Sequence, residues 1–228
     1  MLRVVAPELI DDPGVDFTEL LASARGLEAA NHRFGGHAVV LRELRRLRRD
    51  GKAVAHVLDV GAGFGDLAEA IVAWGRRQGE PIEVLCVDRH PVILDLARQR
   101  HGDVPGVTFV AGDGRALTLD DRSTDVAVCT LMLHHVEPSD AVLLLAELRR
   151  VSRVTPVVAD LVRGAVPYAL VWLWSRVLAR DRLSRHDGPL SVRRAYTPDE
   201  ALTLARAAGW RKPRVRVVGI LRLVLTDG

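Results

Sequence analysis

Lysine is almost missing from this chain: 30 of its 32 basic residues are arginine and 2 are lysine. Aromatic residues are scarce too, at 4 %, and form no cluster on which unstacked bases would lie. That argues against a single-strand nucleic-acid binder. Only two cysteines occur, Cys86 and Cys129, each inside an apolar run (VLCVD and VAVCTL). Their spacing suits small buried strand residues better than a disulfide or a metal site. The expectation is a reduced, cytoplasmic protein. No run of about 18 uncharged apolar residues exists, so no membrane span is expected. The opening MLRVVAPELIDD carries acids before any signal-peptide core can form. Repeats and low-complexity linkers are absent as well.

What the chain does have is apolar mass, 48 % of 228 residues, enough for one α/β domain with a good core. Its net charge is +3, and the basic excess gathers in LRELRRLRRDGK (41–52). There Leu41, Leu44 and Leu47 recur at helical spacing, which predicts an amphipathic helix with an arginine face. A solvated face is the plain reading and nucleic-acid contact the sharper one.

The first fifty residues read as helical: a turn at 11–14, a helix over about 17–30, a break at NHRFGGH, then the arginine helix. From Val54 onward strands alternate with helices. Strands are expected at 55–60, 83–88, 107–113, 125–131 and 156–162, with a close pair, PRVRVVGI and LRLVLT, at the end. Helices are expected at 66–78, 91–101, 138–150, 166–182 and 198–208. This alternation predicts an α/β, doubly wound parallel sheet. The last two strands have almost nothing between them and must form an antiparallel hairpin. The whole, 1–228, is expected to be one domain: a helical cap over 1–50, a ligand-binding core over 54–228, and a substrate-covering segment at about 165–197.

Ligands of such sheets bind at the carboxyl ends of the strands. At the end of the first strand stands VLDVGAGFGD (57–66), whose glycines allow positive φ and close approach of backbone to ligand. A dinucleotide fingerprint would need a third glycine at position 66. Asp66 stands there instead, where a pyrophosphate would sit on the helix N-terminus, so a phosphate ligand is disfavoured. The second strand ends in Asp88, placed to accept from both ribose hydroxyls or else to cap the helix opening at Pro91. The third ends in Gly112, Asp113 and Gly114, an acid between glycines that suits an adenine amino group or a simple turn.

Together with DVAVCTLMLHHV (125–136) and the terminal hairpin, these residues resemble the class I S-adenosylmethionine-dependent methyltransferases over about 54–228. The resemblance implies a Rossmann-like seven-stranded sheet and S-adenosyl-L-methionine as cofactor. It also implies a cofactor site of Asp59, Gly61, Ala62, Gly63, Asp88, Arg89, Gly112, Asp113 and Gly114. Backbone around Cys129 and Thr130 would line the methionyl end. NHRFGG (31–36) and RLSRHDGPLSVRRAYTPDE (182–200) resemble, more closely, a bacterial subgroup linked with type III polyketide synthases. That implies secondary metabolism and a small phenol, enol or pyrone as acceptor. The wider branch includes quinone-biosynthesis methyltransferases, so C-methylation of a quinone-type precursor is the alternative.

Methyl transfer is an in-line displacement, and a phenol near pKa 10 is a weak nucleophile at neutral pH without help. His134 and His135 stand at the mouth of the fourth strand. Being adjacent, they are not expected to share a face, and His135 is favoured as the base or as the group that orients the acceptor. His186, beside Asp187 in a loop expected to fold over the acceptor, is the other catalytic candidate; Asp-Gly-Pro is otherwise turn chemistry. Arg33, Phe34, Tyr168 and Trp172 are the candidate acceptor-binding residues. No metal is expected, because the histidines lack carboxylates at ligand spacing apart from Asp187 and Glu137. An RNA or protein methyltransferase is a further alternative. Against it, no Asn-Pro-Pro-Tyr-like element follows the fourth strand, where the chain reads CTLM (129–132). A non-catalytic nucleotide binder and a nicotinamide oxidoreductase are the remaining ones. The oligomeric state is not legible.

Overall fold

The computed structural model describes residues 1–12, 14–23, 26, 35–179 and 181–228. Seven strands form one mixed sheet: β1 (His56–Val60), β2 (Glu83–Asp88), β3 (Val107–Ala111), β4 (Thr124–Thr130), β5 (Ser152–Leu161), β6 (Pro213–Val218) and β7 (Arg222–Asp227). Their order is β3-β2-β1-β4-β5-β7-β6. The first five run parallel, while β7 lies antiparallel to β5 and β6. The expected terminal hairpin is present, turning at Gly219 with φ 62°. Strand order reverses between β1 and β4, where a doubly wound sheet opens a crevice for a ligand.

The helices are α1 (Gly36–Arg49), α2 (Asp66–Arg77), α3 (Pro91–His101), α4 (Pro138–Val151), α5 (Ala165–Val177), α6 (Arg182–Arg194) and α7 (Pro198–Ala207). Two apolar clusters fill the space between helices and sheet. One joins Val40, Leu44 and Leu47 of α1 to Ile71, Val128, Val157 and Val224. The other joins Leu144, Leu145 and Leu148 of α4 to Leu58, Ala127, Val158 and Leu225.

Several expectations change on the structure. Residues 1–50 are not a purely helical cap. Residues 1–8 take no regular secondary structure, and a short 3-10 turn follows at Leu9–Asp11. A helical segment covers 17–23; most of the remainder of the expected 17–30 helix, like the candidates Arg33 and Phe34, lies outside the described residues. The arginine helix α1 belongs to the layers around the sheet, because its Val/Leu stripe is buried there. Its arginines are partly engaged: Arg48 pairs with Glu80 at 2.9 Å and stacks 4.5 Å from the Trp74 ring, and Arg46 lies 3.4 Å from Glu43. The expected 166–182 helix ends at Val177. A separate helix, α6, carries HDGP within it, Pro189 included. Tertiary packing overrides the turn chemistry there. Gly188 faces Val171 and Ser175 of α5 closely, and the Asp187 carboxylate is held by backbone of the N-terminal segment.

Candidate active site

A cavity of about 350 Å³ opens at the carboxyl ends of β1, β2 and β4. Its floor is the glycine loop. Gly61, Gly63 and Gly65 have φ of 69°, 55° and 85°, a region costly for other residues. A Cβ on Gly61 would lie 2.6 Å from Met132 Cγ, and one on Gly65 would lie 2.8 Å from Phe109 Cζ. Gly63 has open space where a Cβ would be. The amides of Gly61 and Ala62 both donate to the Val87 carbonyl, which pins the loop onto β2.

Asp59, next to last in β1, is 1 % exposed, and its Oδ2 has no hydrogen-bond partner among the described residues. Burial, then the nearby Asp88 and Asp66, push its carboxyl up to about 7. Asp88 accepts from Gly63 N at 2.9 Å through Oδ2 and from His90 N at 2.9 Å through Oδ1. The capping role considered for it falls to His90, whose Nδ1 accepts from Ile93 N. Each Asp88 oxygen keeps acceptor capacity for a further hydroxyl. Asp113 lines the cavity as expected, but its carboxylate is already taken by Arg115, which also reaches Asp140 at 2.6 Å. The Arg115 hydrogen bonds hold the Asp113 carboxyl down at about 2. An adenine amino group would have to share those oxygens. Arg89, Gly112, Gly114 and Thr130 also line the cavity, whereas Cys129 is buried beneath it and Leu131 and Met132 take that stretch of wall. Leu131 has φ 54°, a strained backbone of the kind held at functional sites.

The rest of the wall comes from residues far apart in sequence. Residues Leu133–His135 form a 3-10 turn after β4. Contrary to expectation His134 and His135 both face the cavity, with ring centroids 4.3 Å apart, because the tight turn and the strained Leu131 bring the adjacent rings side by side. The His134 Nδ1–H donates to Asp160 Oδ1 at 2.6 Å. Burial works against the Asp160 charge, but His134 and two backbone amides outweigh it and hold that carboxyl below its ordinary range. The His135 Nδ1–H donates to Asp11 Oδ2 at 3.0 Å. Asp11 likewise stays below its ordinary range, against burial, through His135. Glu8 is 3 % exposed, and burial, with Asp187 adding, pushes its carboxyl up to about 7 against the pull of His135. Asp187 fixes this N-terminal stretch by accepting from Leu9 N and Ile10 N at 2.9 and 3.0 Å. Arg194 donates to the carbonyls of Ala6, His134 and His135.

His186 is not among the residues that line the cavity; its side chain is half exposed and bonds the neighbouring Asp187. Tyr168 and Trp172 do not line it either, and Trp172 faces outward beneath Arg176. Val171 and Trp174 are the α5 residues on the wall. Sequence reading missed Glu8, Asp11, Asp160 and Arg115. Asp160 did carry a signal, an acid inside the apolar run PVVADLV.

These features fit S-adenosylmethionine, which brings two cations and two ribose hydroxyls. Among the described residues, the buried Asp59 Oδ2 and the Thr130 hydroxyl have no polar partner, so a ligand can supply one. The bare Gly63 backbone gives room for close approach.

A family model described as a methyltransferase domain matches residues 57–154. The demethylmenaquinone methyltransferase of Roseiflexus castenholzii is 30 % identical over 178 residues, 72 % of this chain and 71 % of that protein. Among solved structures, a SAM-dependent methyltransferase from Aquifex aeolicus superposes with a TM-score of 0.65 at 19 % identity, over 93 % of this chain and 97 % of that one. The magnesium protoporphyrin IX methyltransferase of Synechocystis, with bound S-adenosylhomocysteine, superposes with a TM-score of 0.57 at 15 % identity, over 94 % and 88 % of the two chains. At such identities the two structures speak for the fold.

Proposed function

Since the chain belongs to the class I S-adenosylmethionine-dependent methyltransferases, we propose that it methylates an oxygen of a small aromatic or polyketide-type acceptor, a phenol or enol. The observation that carries this reading is the composition of the wall away from the glycine loop. Val171, Trp174 and Leu183 make it oily, and His135 and Glu8 place polar groups among them. An apolar chamber with a few convergent polar groups suits a flat, weakly polar acceptor.

The bound cofactor supplies an electrophilic methyl group on a sulfonium. Asp88 would hold its ribose, the backbone from Gly61 to Gly63 its methionyl part, and Asp59 would face its positive charge. His135, oriented by Asp11, would accept a hydrogen bond from the acceptor hydroxyl and set one lone pair toward the methyl carbon. Alignment of this kind is worth up to about 7–11 kcal/mol.

One observation favours a second reading. The Roseiflexus relative is named for demethylmenaquinone, so C-methylation of a quinone-type precursor shares the same chamber. No helix among the described residues is long and apolar enough to cross a membrane.

The test follows a labelled methyl group from S-adenosylmethionine into three pools: phenolic and pyrone small molecules with quinols, bulk RNA, and cell protein. Label on a phenol or enol oxygen, located by mass fragmentation, is the expected result. Label on ring carbon of a quinol would select the second reading. Label only in RNA or protein would defeat both.

A further inference from the structure

Glu8, His134 and His135 present three ligand atoms that all lie within 4.8 Å of one another. His134 Nε2 is 3.8 Å from Glu8 Oε1, and His135 Nε2 is 3.6 Å from Glu8 Oε2. Both separations are too long for hydrogen bonds. They approach the ~3.3 Å between ligand atoms that each stand about 2.0–2.1 Å from one tetrahedral ion.

The other face of each ring is already committed. His134 gives its Nδ1–H to Asp160 and His135 gives its own to Asp11, at 2.6 and 3.0 Å. A carboxylate on the far nitrogen is how proteins orient metal-ligating histidines and present the Nε2 lone pair. Here two such pairs aim their Nε2 atoms at one carboxylate. Ser191 Oγ donates to Glu8 Oε1 at 3.0 Å, and the Arg194 guanidinium stands 3.7 Å from that same oxygen. Glu8 Oε2 is thus free of those two groups and faces His135, while Oε1 faces His134. Charge at the cluster comes from Glu8, Asp11, Asp160 and Asp187 against Arg194, with Arg89 also acting on Asp11.

We propose that Glu8, His134 and His135 form a site for one divalent transition-metal ion of the zinc class. Two imidazoles and a carboxylate are the donor set such ions take, and three protein ligands leave a position open. All three residues line the cavity, so that position opens onto it. An acceptor oxygen bound there would be held and acidified by the ion, and His135 Nε2 would then ligate the ion instead of accepting the acceptor's hydrogen bond. This last role rests on the acceptor reading above; the ion site does not.

The experiment strips the full chain with a chelator and titrates it with Co(II), read by visible absorption, and with Zn(II), read by calorimetry. One ion per chain is expected. Glu8→Gln and His135→Ala should each weaken binding at least about tenfold, and the orienting Asp11→Asn by about 10–100-fold. The exposed His56, away from the cluster, should be replaceable by Ala without effect. Retained S-adenosylhomocysteine binding shows that each variant is folded, and Asp11→Asn decides if another is not. Absence of stoichiometric binding, or equal binding by wild type and all three variants, overturns the site. Ion binding without transfer to phenols removes the acceptor reading and keeps the site. Transfer to phenols without ion binding does the reverse.

Discussion

The Nδ1 atom of His134 lies 2.6 Å from the Asp160 carboxylate, and both side chains are 4 % exposed. The pair joins the turn after β4 to the end of β5. Asp160 adds hydrogen bonds from the amides of His134 and Leu161. Asp160→Asn keeps the shape and removes the charge. It should lower stability by about 1.5–3 kcal/mol, the range for hydrogen bonds to charged groups. Denaturant unfolding measures this; an unchanged midpoint would mean that the pair is replaceable.

Asp59 links stability to pH. An unfolded aspartate titrates near 4, whereas burial holds the native carboxyl near 7. Between those values the native state binds the extra proton, so this group makes stability fall as pH rises from about 4 to about 7 and adds no further slope above. Asp59→Asn should match wild type at pH 4.5 and exceed it at pH 8 by on the order of 2–4 kcal/mol. Denaturation at the two pH values checks it. Cofactor affinity of the variant should fall, because a neutral amide meets the cation less well.

Gly61 and Gly79 share a φ of 69°, but only Gly61 has a neighbour where a Cβ would go. Alanine at either position bears the same backbone strain. Gly61→Ala should lose about 1–3 kcal/mol more than Gly79→Ala, the cost of overpacking against Met132. It should also weaken S-adenosylhomocysteine binding, which Gly79→Ala should leave alone. Thermal melts with and without the ligand read both effects. Equal losses would place the cost in the backbone rather than in the contact.

His135 faces the cavity and His186 does not line it. His135→Ala should lower kcat by about 10²-fold or more while S-adenosylhomocysteine binds as before. His186→Ala should stay near wild type in both. A large loss with His186→Ala would mean that α6 moves when the acceptor binds.

Much of this molecule was legible from local pattern. Strands alternate with helices at spacings that only a wound sheet explains, and VLDVGAGFGD declares its turn through the glycines themselves. Helix phase was less legible: Trp172 and Trp174 are equally apolar in sequence, yet Trp174 lines the cavity while Trp172 faces outward. The HDGP stretch reads as a turn until the backbone of Leu9 and Ile10 claims Asp187. Glu8 and Asp11 were invisible for the same reason. Their partners His134, His135 and Asp187 lie more than a hundred residues away, and no local period records such pairings.

The stapling of residues Leu9 and Ile10 to Asp187 has a consequence for how the protein diverges. The proposed cofactor floor is drawn from one continuous stretch, from Asp59 to Met132. The proposed acceptor chamber needs the earliest part of the chain and α6 together. On that reading, substitutions over lineages in the first dozen residues and in α6 would retune what is methylated, with the donor site left intact. Inheritance of the donor site and of acceptor choice would then be carried by separate portions of the chain.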